Sequence, residues 1–246
     1  MKTVFGILNW NRDISQILES LGQNDVIVST NKDVTFTQSI STLKADPNIA
    51  KSKNDLIKAA RECGYDYLVL MEDDIALIDP TTTAQRYISQ MQRFGLGLMF
   101  YGYHKGGNCV MDGVKNTGII TKISEEEELH FCRFPCGAFM VIDLVNNQEL
   151  FDEDLVCLEL EEYCQRCANE KIVPFNGFFL DLPDSETLFT VTDRNKNRIK
   201  TKEAVDLDKK SLGEKKLELK LASNADELIN WIIEKLKNPI SGAQSL

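Results

Sequence analysis

The segment Tyr65–Asp74, YDYLVLMEDD, restricts the fold more than any other stretch of this chain. Its apolar part has the length of a strand and lacks an alternating polar face, which is the pattern of a strand buried on both sides within a sheet. It runs directly into Glu72, Asp73 and Asp74, so the strand delivers adjacent carboxylates to its own carboxyl end. In open α/β sheets that edge is where ligands bind. Adjacent carboxylates repel one another, and a cation relieves the repulsion. Hard oxygen ligands suit Mg²⁺ or Mn²⁺, ions that bridge one or two carboxylates to substrate phosphates. The segment therefore predicts a divalent-metal diphosphate site; the plainer reading is a solvated acidic loop.

The surrounding chain supplies the rest of a parallel sheet. Val4–Leu8 is a short apolar run ending at Asn9-Trp10-Asn11-Arg12, and reads as a first strand followed by a polar loop. Asp13 is a candidate helix cap; Ile14, Ile17, Leu18 and Leu21 then recur at helical spacing, and Gly22 closes the helix. Asp25–Thr30 is β-branched and reads as a second strand. Helices are predicted over Lys53–Cys63, from Asp79-Pro80 to about Phe94, and over Asp152–Lys171, with strands at Leu96–Tyr103, Gly118–Ile123 and Phe139–Ile142 and an extended stretch at Ile172–Leu182. The expectation is an α/β fold, Rossmann-like, with a mixed, mostly parallel central sheet flanked by helices and a small C-terminal extension.

Charge and cysteine content narrow the function classes. With 28 basic against 38 acidic residues the net charge is −10, which disfavours a protein built to grip duplex phosphates. The composition changes near residue 184: residues 194–220 hold ten Lys/Arg against five Asp/Glu. This divides the chain into a main unit, 1–184, and an extension, 185–246; its basic stretch 194–220 reads as a solvated surface with hairpin turns or as a face toward the diphosphate or an anionic acceptor, with a strand around Leu217, Leu219 and Leu221 and a terminal amphipathic helix through Leu228, Trp231, Ile232 and Leu236 packing on the main body. No apolar run reaches 18 residues and no charged-then-apolar leader opens the chain, so neither a membrane span nor a signal peptide is expected. The seven cysteines are an odd number in a chain long enough to need no disulfides, which predicts reduced thiols and a cytoplasmic setting. Cys132, Cys136, Cys164 and Cys167 have zinc-like spacing, although the second pair falls on a predicted helix, where small buried thiols are the simpler reading.

Four stretches in order resemble the GT-A-fold, nucleotide-sugar-dependent glycosyltransferases that carry an Asp-x-Asp-type motif. They are the opening strand with Asn9–Arg12 and the following DVIVSTN, then Ile49–Asp74, then Pro135–Asp143 (PCGAFMVID), then Phe151–Cys167 (FDEDLVCLELEEYCQRC). The resemblance spans roughly residues 1–182. It implies that Glu72-Asp73-Asp74 is the acidic motif, with Asp74 and Glu72 as carboxylates toward a Mn²⁺ or Mg²⁺ ion, Glu72 also near the donor ribose, and Asp73 turned toward the sugar. Asn9 and Arg12 fall where nucleotide base and ribose are held, Trp10 beside them is a candidate stacking platform, and Lys53 and Asn54 match a basic-Asn pair bordering the donor pocket. Glu stands at position 72 where the motif has Asp, a side chain longer by one methylene. A catalytic acid is implied on Glu161, with Glu162 second and Glu159 third. Glu159, Glu162 and Arg166 also share a helical face, so an ion-pair stripe is the competing reading.

The function implied is transfer of a sugar from a nucleotide-diphosphate sugar to an acceptor hydroxyl, by direct displacement with inversion. The acceptor is left open among glycan, lipid, protein and modified nucleic-acid base. A Rossmann-like nucleotidyltransferase is the alternative enzyme, although its glycine-rich phosphate loop is replaced here by Asn-Trp-Asn-Arg. A non-catalytic binding or scaffolding protein of the same fold is the other alternative. His104 beside the glycines Gly106 and Gly107 reads as a loop histidine or a diphosphate ligand next to a mobile lid.

Overall fold

A computed structural model of the chain describes residues 1–10, 12–31, 41–101, 119–122, 124–125, 128–132, 137–170, 172–173, 179–184, 187–191 and 202–215, with 230, 234 and 237. The expectations for His104, Gly106, Gly107, Pro135, Cys136, Leu217, Leu219, Leu221, Leu228, Trp231, Ile232 and Leu236 fall outside these residues.

The elements follow in the order β1 (Thr3–Asn9), α1 (Ser15–Leu21), β2 (Val26–Thr30), β3 (Ser41–Lys44), α2 (Ile49–Glu62), β4 (Tyr67–Glu72), β5 (Ile75–Leu77), α3 (Pro80–Phe94) and β6 (Leu98–Phe100). Then come β7 (Ile119–Lys122), β8 (Glu128–Cys132), β9 (Phe139–Asp143), α4 (Glu159–Asn169), β10 (Phe179–Asp181), β11 (Phe189–Val191) and α5 (Lys202–Glu214). The central sheet has the order β3-β2-β1-β4-β9-β6. β1 pairs in parallel with β2 and β4, and β2 with β3, while β9 runs antiparallel to both β4 and β6. This is the mixed, mostly parallel α/β sheet expected from the sequence. β7, β8 and β10 form a small antiparallel sheet, and β11 pairs with β5.

The inner strands are mostly apolar because both sheet faces are covered there, whereas the edge strand β3 (STLK) is largely exposed. Phe5, Ile7, Val28, Val69, Met71 and Val141 face a core completed by α1 and α3. Val4, Ile27, Leu68, Leu70, Met140 and Ile142 face a second core completed by α2 and α4. At Gly6 a Cβ would stand 2.8 Å from Leu68 Cδ1, so the close approach of β1 and β4 on this face is met by the absence of a side chain. Local signals fix the helix ends: Asn48 Oδ1 accepts from the Lys51 N–H at 3.1 Å, and Asp79 Oδ1 from the Thr82 N–H at 3.1 Å with Pro80 in the first turn. Gly95 closes α3 in the left-handed region at φ 63°.

Several sequence expectations are corrected. α1 is capped one residue late, at Ile14, with Asp13 Oδ1 accepting from the Ser15 N–H at 2.9 Å. The acid-rich helix expected within 152–171 is α4, which starts at Glu159; residues 151–158 ahead of it form turns tied to other elements. Part of the basic stretch is a helix, α5, and not hairpin turns. Its buried Asp208 and Leu212 seat it on the 152–158 turns, Leu212 packing with Leu155 and Leu158.

Candidate functional site

The strand order reverses between β1 and β4. The chain winds from β1 through β2 to β3 on one side, then returns to place β4 on the other. Such a switch point opens a crevice at the carboxyl ends of the two strands. Leu8 is in register with Glu72, so the loop after β1 lies beside the acidic run that ends β4.

The two loops are joined by polar contacts. The Trp10 N–H donates to Asp73 Oδ2 at 2.8 Å, Arg12 Nε lies 3.6 Å from Asp73 Oδ1, and Arg12 Nη1 donates to the Asp73 carbonyl at 3.4 Å. Asn9 is buried and organises the turn: its Oδ1 accepts from the Arg12 N–H at 3.1 Å, while its Nδ2 donates to the Arg12 carbonyl at 3.3 Å and to Thr30 Oγ1 at 3.4 Å. One amide side chain thus links the ends of β1 and β2 to the Arg12 loop. The Trp10 side chain is 45% exposed, an unusual place for an indole unless it meets a partner surface.

A second group surrounds Glu72. β9 runs antiparallel, so its first residues lie at this same edge, and the Glu72 N–H donates to the Ala138 carbonyl at 2.9 Å. A Cβ on Gly137 would fall 3.3 Å from Glu72 Oε1, 3.5 Å from Leu160 Cδ2 and 3.9 Å from Lys53 Nζ. Glu72, Lys53 and the start of α4 therefore converge on the space left by a glycine. Lys53 is 1% exposed; its ammonium lies 3.3 Å from Glu159 Oε1 and 4.9 Å from the centre of the Phe151 ring. Asn54 clamps the same segment, donating to the Phe151 carbonyl at 2.9 Å and to Glu153 Oε1 at 2.8 Å and accepting from the Phe151 N–H at 2.8 Å. Both side chains act here as struts between α2 and the 151–159 segment, because α2 turns them inward.

The three candidate acids of α4 have different settings. Glu159 is buried against Lys53. Glu162 is buried and ion-paired to Arg166, which also binds Glu149 and the Leu150 carbonyl. The ion-pair stripe weighed from the sequence exists for Glu162 and Arg166, whereas Glu159 takes its cation from α2. Glu161 is half-buried at the same helix start. Acids in a first helical turn are favoured by the helix dipole, which adds to the local demand for them.

The donor set suits a hard divalent cation. Glu72 ends β4 and Asp74 follows two residues on, and both are carboxylates of the type such an ion takes; Asp73 between them is bonded by Arg12 and the Trp10 N–H. Among the described residues no group of three or more His, Cys, Asp or Glu side chains is placed to share an ion. A Mg²⁺-type site completed by a diphosphate draws on only one or two protein carboxylates. Zinc fares worse: Cys164 and Cys167 are buried in the α2–α4 core, and burial pushes the Cys167 thiol up to about 12, against the thiolate a metal needs. Cys63, Cys157, Cys164 and Cys167 are free thiols, and His130 is bonded to Glu128 at 2.7 Å. Among the described residues no helix is long and apolar enough to cross a membrane. Gly137 and Asp208 were not singled out from the sequence; the glycine that opens the PCGAFMVID stretch was the available signal for the first.

Neither a protein-family model nor a curated protein matches the sequence. Solved structures do match in fold. The structure of Staphylococcus aureus TarS 1-349 in complex with UDP-GlcNAc aligns with a TM-score of 0.55 over 96% of this chain and 72% of that one, at 12% identity. Another S. aureus TarS structure aligns at a TM-score of 0.45 and 14% identity over 69% of this chain; the match spans only 34% of that chain. A197 from STIV aligns at 0.44 and 12% identity, over 82% of this chain and 100% of that one. At these identities the likeness is one of fold.

Proposed function

We propose that the chain is a metal-dependent glycosyltransferase that takes a sugar from a nucleotide-diphosphate sugar to an acceptor hydroxyl. One observation supports this reading: the switch point brings the end of β4, with its run Glu72-Asp73-Asp74, beside the loop after β1, and Asp73 bonds to Trp10 and Arg12 there. A nucleoside diphosphate needs both a face for its base and a partner for its charge, and the two loops offer them side by side. The fold likeness to a TarS structure solved with UDP-GlcNAc supports the same reading.

Asp74 and Glu72 would hold the Mn²⁺ or Mg²⁺ ion, which supplies Lewis-acid stabilisation of the leaving diphosphate. Trp10 offers an exposed indole face to the nucleobase. Asn9 fixes the turn that presents Trp10 and Arg12. Inversion by direct displacement needs a base to take the acceptor proton. We assign that role to Glu161, half-buried in the first turn of α4 and the position that the family resemblance favours. A well-placed base contributes roughly 10²–10⁴-fold to rate.

The test is thermal shift and calorimetry with UDP, UDP-GlcNAc and other nucleotide sugars, with and without Mn²⁺, followed by an assay for nucleotide release. A ligand at 100 times its Kd stabilises the folded protein by about 2.7 kcal/mol. The expected result is a Mn²⁺-dependent shift in the wild type that Asp74→Asn removes while leaving the unliganded melting temperature within a few degrees. No Mn²⁺-dependent shift with any donor, or an undiminished one in Asp74→Asn, sinks the proposal.

A further inference from the structure

The helix that carries the candidate acids is not capped by its own sequence. The residue before α4 is Leu158, whose side chain cannot accept a hydrogen bond, yet a helix start leaves N–H groups to satisfy. Asp208, at the middle of α5, supplies an acceptor from some fifty residues downstream for the N-cap N–H and for the two N–H groups just ahead of the helix. Its carboxylate accepts from the N–H groups of Val156 at 3.0 Å, Cys157 at 2.6 Å and Leu158 at 2.8 Å, and it is completely buried. One turn on, Leu212 packs with Leu155 and Leu158; another turn on, Lys215 binds Asp152 and Asp154. Asp208 and Leu212 lie four apart on one face of α5, and Lys215 follows directly after its last residue, so α5 and its C-terminal end grip the 152–158 segment together.

The other side of that segment faces the acidic motif. Directly after the gripped turn, Glu159 meets Lys53, and Leu160 adjoins the Gly137 space that also borders Glu72. We propose that Asp208 is a positioning residue for the candidate acceptor-side acids. By fixing the 156–158 turn it holds Glu159, Leu160 and Glu161 in register with Lys53, Gly137 and Glu72. The proposal rests on the glycosyltransferase reading for its kinetic consequence, but its structural half stands without it.

Asp208→Asn, isosteric but without the charge, is the test variant; it carries the experiment even if Asp208→Ala fails to fold. Hydrogen exchange on the unliganded full chain is expected to quicken at least tenfold in peptides covering 155–162, and to stay unchanged in β1 and β4. Turnover is expected to fall about 10- to 100-fold, the scale of a small misplacement of a reacting group. Affinity for UDP with Mn²⁺ stays within threefold, because the donor groups lie on the β1 and β4 loops. A role confined to overall stability predicts that donor affinity and turnover drop together. Unchanged exchange overturns the proposal, as does faster exchange with turnover within twofold of wild type, or a matching loss of UDP affinity. Absence of turnover in the wild type counts against the reaction, and the exchange comparison then decides on Asp208 by itself.

Discussion

Lys53 shows how a residue type can be legible while its task is not. The sequence marks a basic-Asn pair at 53–54, but the three partners of that pair, Glu159, Phe151 and Glu153, lie about a hundred residues away, and no local pattern announces them. The Lys53 side chain, 1% exposed, has its ammonium against Glu159 and the Phe151 face. Removing one partner strands a buried charge, a loss of about 3–5 kcal/mol, while replacing both by apolar residues of similar size is close to neutral. Urea denaturation is therefore expected to show Lys53→Met strongly destabilised and Lys53→Met with Glu159→Leu substantially restored. A loss in the double variant equal to the sum of the losses in Lys53→Met and Glu159→Leu would show that the two groups are not coupled. The cysteines give a separate residue-scale test. Burial pushes the Cys167 thiol up to about 12, so at pH 8 in native buffer alkylation should mark exposed Cys63 and spare Cys167, as peptide mass spectrometry reads directly.

Among the elements, legibility followed burial pattern. β1, β2 and β4 were readable because they are apolar on both faces, and α2 and α3 because caps and glycine stops frame an amphipathic repeat. β5 and β11 were not, since each has three residues and is defined by its partner more than by its own composition. α5 was hidden for a sharper reason: its inward stripe is led by an aspartate, so a search for apolar periodicity sees only a charged surface. The acidic run that ends β4 stands out in the sequence because it follows a buried strand, whereas the Gly137 space depends on three elements meeting. The α5 grip also carries a pH signature. Burial raises the Asp152 pKa, but the bonds from Lys215 and the Asp154 N–H outweigh it, and the net value lies below the ordinary 3.8. A carboxylate lowered in the folded state contributes stability that is complete above its unfolded value and is lost as pH falls through the folded one. The stability difference between wild type and Lys215→Ala should thus be constant from about pH 5 to 8 and shrink below about pH 4. Denaturant midpoints measured across that range check it, and a difference that grows on acidification would contradict the assigned pair.

At the scale of the molecule, the two main cores are built from residues between Val4 and Phe189, while α5 contributes a separate small cluster, Leu155, Leu158 and Leu212, on the outside of α4. The body should then fold without α5, but with the start of α4 less well held. A chain ending at residue 191 keeps β11 paired to β5 and loses Asp208, Leu212 and Lys215 together. Burying one leucine is worth roughly 1.5–3 kcal/mol and a helix cap about 1 kcal/mol. For a chain of this size each kcal/mol moves the melting temperature by about 2–4 °C. Calorimetry of the shortened chain is accordingly expected to give one cooperative transition, lowered by roughly 5–15 °C, with far-ultraviolet circular dichroism still that of an α/β protein. An unchanged melting temperature would mean that α5 only rests on the surface. Complete loss of folding would mean that the sheet and its two cores depend on the C-terminal residues, and that the 151–159 segment cannot be treated as a local hinge between α5 and the acidic edge.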